Sequence, residues 1–196
     1  MKHIATVALL LNLGVAGVYA QENAVKMTFS GTEGASAINL NIDGTKTAEF
    51  DFAGNGTLGR FTFRNVEADQ DPLRPQPSSL CPAGQLYSPT AAGGGVFRFH
   101  GGSLLIVKLT EGFDCIDFVA LEAHCTRIFQ ITGGSGRFKD ASGMLTLTET
   151  VLPVLFDDST NPPSPVFFAA TGKFKGTISG VGSEEKEQPE EQDERQ

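Results

Sequence analysis

Residues 131–143 read ITGGSGRFKDASG, with glycine at 133, 134, 136 and 143 around an Arg137–Phe138 pair. Two kinds of structure use such a run. A phosphate cradle presents backbone N–H groups at the start of a helix, and it needs a Lys-Ser/Thr pair or a third glycine at fixed spacing. Neither is present here: no G-x-x-x-x-G-K-S/T pattern occurs, and Lys139 stands where the third dinucleotide glycine belongs. Downstream, Leu145 and Leu147 alternate with Thr146 and Thr148 as a strand does, and Gly143 stands where a helix would suffer. The stretch is therefore expected to be a corner between strands. At least one of Gly133, Gly134 and Gly136 should lie at positive φ, where a Cβ is costly.

The same period of two runs through the rest of the chain. Phe50-x-Phe52, Phe61-x-Phe63 and Phe97-x-Phe99 each set two rings on one face, with Asp51, Thr62 and Arg98 between them. Val25–Gly31, Leu104–Leu109, Thr126–Thr132, Met144–Thr150 and Phe167–Ile178 supply further strand-like runs. Asp43-Gly44, Asn55-Gly56 and Gly101-Gly102 read as tight hairpin turns. The expected fold is all-β, an antiparallel sandwich or closed barrel. Closure removes the strand edges that invite aggregation. Two proline-rich segments, 67–92 and 152–165, read as long connections, either ornamental or forming a lid at one barrel mouth.

The ends have a different character. Residues 1–20, MKHIATVALLLNLGVAGVYA, begin with Lys2, continue as an apolar run and finish at Val18-Tyr19-Ala20. That is the layout of a secretory signal peptide cut after Ala20, and Asn12 interrupts a run already short for a membrane span. The last stretch, SEEKEQPEEQDERQ at 183–196, holds seven acids, two bases and no apolar side chain, the composition of a disordered tail. The domain is thus expected over 21–182. Of the formal charge of −8, the tail carries −5; with Lys2 also set aside, the domain carries −4. No basic stripe marks a nucleic-acid partner.

Cys81, Cys115 and Cys125 are the three cysteines, and an oxidising compartment favours one pair with one thiol left over. Cys115–Cys125 is the expected disulfide, with the pairings that use Cys81 as the competitors. Two histidines beyond the leader, His100 and His124, and no C-x-x-C give no basis for a metal site or a cofactor. His124 directly precedes Cys125, so on a strand the two face opposite ways and do not form a nucleophile–base pair.

The glycine corner also carries a resemblance. ITGGSGRFKDASG is similar to the glycine-rich turn of the allene oxide cyclase and dirigent β-barrels, and closer to a group of secreted bacterial proteins with that barrel. TLGRFTF at Thr57–Phe63 and HGGSLL at His100–Leu105 match two weaker motifs of that group. The resemblance implies a single antiparallel barrel of eight strands over Val25 to about Gly180. It carries no activity: NAVKMTFSGTEGASAINLN, at 23–41, lacks the Glu- and Asn-rich strand that builds the reactive end of the plant cyclases.

Candidate chemistry is sparse. Asp117 and Glu122 lie beside the apolar positions Ile116 and Phe118. A mouth-facing, solvated position is the leading expectation for these acids; in an unbroken strand Glu122 would instead point inward, where burial would raise its pKa and fit it for acid–base work. Phe50, Phe52, Phe61, Phe63, Phe97, Phe99 and Phe174 share the apolar phase of their strands and are expected inside the barrel. Such a core leaves room for a pocket only at one mouth, under the 67–92 segment, and no polar floor. The leading expectation is a secreted, non-catalytic barrel binding a small apolar ligand or a surface partner. The alternative is a cyclase-like or dirigent-like enzyme using the cavity.

Overall fold

The computed structural model describes residues 22–36, 46–69 and 76–183. The expected leader (1–20), the Asp43-Gly44 turn and all but the first residue of the acidic tail lie outside these residues. Eight strands follow in order: β1 Asn23–Ala35, β2 Lys46–Gly56, β3 Phe61–Asp69, β4 Leu86–Phe99, β5 Leu104–Asp117, β6 Glu122–Gly134, β7 Ser142–Asp157 and β8 Ser164–Ser179. Each pairs antiparallel with the next, and β1 pairs with β8, so the sheet closes as an up-and-down barrel. Among the described residues no helix is long and apolar enough to cross a membrane.

Alternation decides which side chains enter the barrel. All seven phenylalanines of the apolar phase are buried, and Phe63, Phe97 and Phe174 are wholly inaccessible. Rings from neighbouring strands pack face and edge, with centroids 4.2 Å apart for Phe63–Phe97 and 4.4 Å for Phe29–Phe52. Such contacts add to the area each ring buries. Small residues opposite the rings make the packing possible: a Cβ at Gly95 would stand 2.6 Å from the Phe63 ring. About half of the barrel is filled in this way.

The glycine corner closes that filled end. Gly133 (φ 145°) and Gly136 (φ 57°) both have positive φ, as the turn requires. The turn differs from a plain strand corner in one respect, because Gly136–Phe138 forms a single 3-10 turn and β7 begins only at Ser142. That turn inserts Phe138 against Phe99, 4.7 Å between centroids. Arg137 lies over Phe138 and Phe99 and donates from Nη2 to the Leu58 carbonyl. Ser135 N–H donates to the Leu104 carbonyl at 2.9 Å, and His100 N–H to Arg60 at 3.1 Å. The three motifs behind the family resemblance are thus turns of one barrel end, knitted to one another.

Several local expectations shift. Asn55-Gly56 still belongs to β2, paired with Thr28 and Met27, and the turn falls at 57–60 with Gly59 at φ 91°. Both proline-rich segments run into strand at their ends: β3 continues to Asp69, β4 starts at Leu86, and β7 and β8 extend to Asp157 and from Ser164. Proline lacks a ladder donor; Pro153 is accommodated at a register irregularity between β7 and β8.

The disulfide joins Cys81 to Cys115, and Cys125 is a free, buried thiol, so the expected Cys115–Cys125 pairing is wrong. A bulge causes this. The β5–β6 register shifts between Leu109 and Glu111, inverting the phase of β5 beyond it. Asp114 then opposes Cys125, whereas Cys115 opposes the exposed His124 and faces outward. Across the wall, Cys125 is out of reach of Cys115. The segment before β4 lies along the outer face of β5, where Cys81 meets Cys115 and Tyr87 stacks on Phe113 at 5.5 Å.

Candidate functional site

At the end opposite the glycine corner the interior is not filled. A cavity of about 370 Å³ opens there, at the C-terminal ends of β1, β3, β5 and β7 and the N-terminal ends of β2, β4, β6 and β8. Its walls are apolar, from Phe50, Ile116, Ala123, Val151, Pro153 and Phe168. Its inner lining is polar, with Glu33, Asp114, Cys125 and Arg127. The expectation of no polar floor is therefore corrected. No described residue of 76–85 lines the cavity, because the disulfide holds that segment to the outer wall instead of over the mouth.

The floor is built around Arg127, which follows the inward phase of Phe129 and Ile131 on β6 and is 2% exposed. Its Nε donates to Glu67 Oε2 at 2.6 Å, and its Nη1 donates to Asp114 Oδ1 at 2.7 Å and to the Phe113 carbonyl at 2.9 Å. Glu67 comes from β3, two steps in phase beyond Phe63, and its other oxygen accepts from Asn65 Nδ2 at 2.6 Å. Burial works against the guanidinium's charge, but Asp114 and Glu67 outweigh it and hold its pKa well above the ordinary range. For Glu67 burial wins over the attraction of Arg127, and its pKa is raised.

Two more carboxyls face this centre. Glu149 of β7 is 5% exposed, and neither of its oxygens has a hydrogen-bond partner. Burial pushes its pKa from 4.5 to about 8, against Arg127 and aided by Glu67 and Asp114. Glu33 of β1, half-buried in the pocket wall, is raised well above the ordinary carboxyl range by burial and then by Glu149 and Asp114. Cys125 lies in the same place, and burial keeps its thiol protonated. A desolvated thiol of this kind is a poor nucleophile.

The acids expected from the sequence fare differently. Asp117 and Glu122 do border the cavity, but at its rim. Asp117 caps the β5–β6 turn, its Oδ1 accepting from the N–H groups of Val119 and Ala120, both at 2.9 Å. Glu122 pairs with the outward-facing His124, Oε1 to Nε2 3.3 Å. The turn at 118–121 breaks the strand on which inward phase for Glu122 depended. The buried acids Glu67 and Glu149 and the half-buried Glu33 and Asp114 were missed, although three of them continue a legible phase of phenylalanine or leucine.

A second depression, about 440 Å³, lies on the outer wall over Thr126, Thr148, Thr150, Thr171 and Lys173. It is a surface of cross-strand threonine rows, open to solvent, and the buried Cys125 and Glu149 also border it. No family model matches this chain, and neither does any curated protein sequence.

Proposed function

We propose that this protein is an exported, non-catalytic barrel that binds one small, mainly apolar ligand in the cavity at its mouth. The observation that carries the reading is the division of the interior. One half is packed with rings, while the other keeps about 370 Å³ open between apolar walls and a hydrogen-bonding floor. That volume and lining are those of small-molecule sites, and eight-stranded barrels are wide enough for one such ligand. The Cys81–Cys115 disulfide supports export to an oxidising compartment, and the resemblance to secreted barrels agrees with it.

The test is to fill the space. Ala123 lines the cavity, and Ala123→Trp would occupy it from β6. Wild-type protein should bind an environment-sensitive apolar fluorophore at one site per chain, and the tryptophan variant should lose that site while keeping its far-UV spectrum. Equal binding by both proteins would refute the reading.

A second reading, an acid–base enzyme in the same cavity, is favoured by Glu33, a carboxyl that lines the space and retains its proton above the ordinary range. An alkyl epoxide would then be hydrolysed to a diol by the wild type and not by Glu33→Gln: the Glu33 proton goes to the epoxide oxygen as the C–O bond breaks, solvent water adds to the carbon, and its proton returns to Glu33.

A further inference from the structure

The composition of the cavity floor says which ligand it suits. Glu33 from β1 and Asp114 from β5 line the cavity with Arg127 of β6; Glu67 from β3, paired to Arg127, and Glu149 from β7 are buried close to the same group without lining the space. Glu67 and Asp114 already satisfy Arg127 by direct ion pairs at 2.6 and 2.7 Å. Glu149, shut in beside them, has no hydrogen-bond partner on either oxygen. Glu33 stands at the wall where a ligand would touch it. The remaining titratable groups near the space are Cys125 in the floor and Lys46, Asp117 and Glu122 on the rim, so the rim adds no net cation either.

We infer that the ligand is an amphipathic monocation, an amine on an apolar body, with its ammonium against Glu33 and Asp114 and its body along Phe50, Ile116, Val151 and Phe168. This rests on the binding role proposed above and adds the charge of the ligand. Three heads can be compared on one apolar tail. A carboxylate would bring a further anion to a site already rich in acids, in a medium where unpaired charge is expensive. A hydroxyl takes a hydrogen bond from a protonated acid but leaves the excess of acids unbalanced. An ammonium supplies the missing positive charge, allows a neighbouring carboxyl to ionise, and donates up to three hydrogen bonds. Entry of the ammonium therefore expels a proton from the acid cluster, and binding is linked to pH.

The test uses octylamine, octanol and octanoate, which share a tail and differ in head, titrated calorimetrically into the disulfide-bonded domain. At pH 8 octylamine should bind at least about tenfold more tightly than octanol, and octanoate more weakly than either. Its affinity should rise from pH 6 to pH 8, approaching about tenfold per pH unit where one proton is released. Repeating the titration in buffers of different ionisation enthalpy counts that proton. Glu33→Gln should bring octylamine down to the level of octanol while octanol binding persists. Octanol or octanoate binding as tightly as octylamine, or an octylamine affinity flat with pH, would overturn the inference and leave the pocket itself standing. If none of the three binds wild-type protein, both the ligand class and the binding role fall.

Discussion

Replacing Glu149 with glutamine should make the protein more stable at neutral and alkaline pH. The substitution keeps size and shape and removes only the ability to ionise. In the unfolded chain this carboxyl titrates near 4.5; in the barrel, burial lifts it to about 8. Between those values the folded state holds a proton that the unfolded state has released. Stability must then fall as pH rises from about 4.5, by about 1.4 kcal/mol per pH unit, and level off above about 8. The cost is about 3 kcal/mol at pH 7 and about 5 kcal/mol at pH 9. Glutamine carries no such cost, so Glu149→Gln should match the wild type near pH 4.5 and gain on it steadily up to pH 8. Glu33, raised in the same direction and partly by Glu149, adds a slope of the same sign that the variant keeps in weaker form. Urea denaturation of both proteins at pH 5, 6, 7, 8 and 9 measures the difference. A variant equally stable or less stable throughout, or a difference independent of pH, would show that Glu149 is ionised in the folded protein and that the acid cluster is read wrongly.

Three further outcomes follow from the same structure. Non-reducing peptide mapping should recover Cys81 linked to Cys115, with Cys125 alkylated only after unfolding; closing a separation of 34 residues should contribute about 4 kcal/mol, lost in Cys81→Ser. Arg127→Leu strands Glu67 and Asp114 without their cation and should cost about 3–5 kcal/mol in denaturant midpoint analysis, and a loss below ~1 kcal/mol would mean that the ion pairs are not formed. At the other end, Gly136 holds φ 57° with Ser103 Oγ only 2.5 Å from where a Cβ would stand, so Gly136→Val should destabilise by about 1–3 kcal/mol; an unchanged thermal midpoint would show the corner to be permissive.

The strands, their antiparallel pairing and the ring-filled core were legible in the residue pattern alone. A two-residue period dictates which side chains share a face, whatever the strand pairs with. In hindsight it also marked most of the floor. Glu67 continues Phe61-x-Phe63-x-Asn65, Glu149 stands between Leu147 and Val151, and Arg127 precedes Phe129 in phase, so all three were bound to point inward. The proline-rich character of 67–92 hid the first of these by suggesting that the strand had ended. The rest depends on how the strands meet. The bulge between Leu109 and Glu111 is set by how β5 meets β6, and it turns Asp114 in and Cys115 out; a count of residues along one strand cannot register it. Nor can local pattern say that Glu33, Glu67, Asp114, Arg127 and Glu149 stand at one level. That depends on the stagger with which eight strands close, since each residue's height along the axis is fixed by its neighbours' register and not by its own sequence. The turn at 118–121 removed Glu122 from the interior for the same reason: phase is local, but where a strand breaks and what it faces belong to the closed sheet.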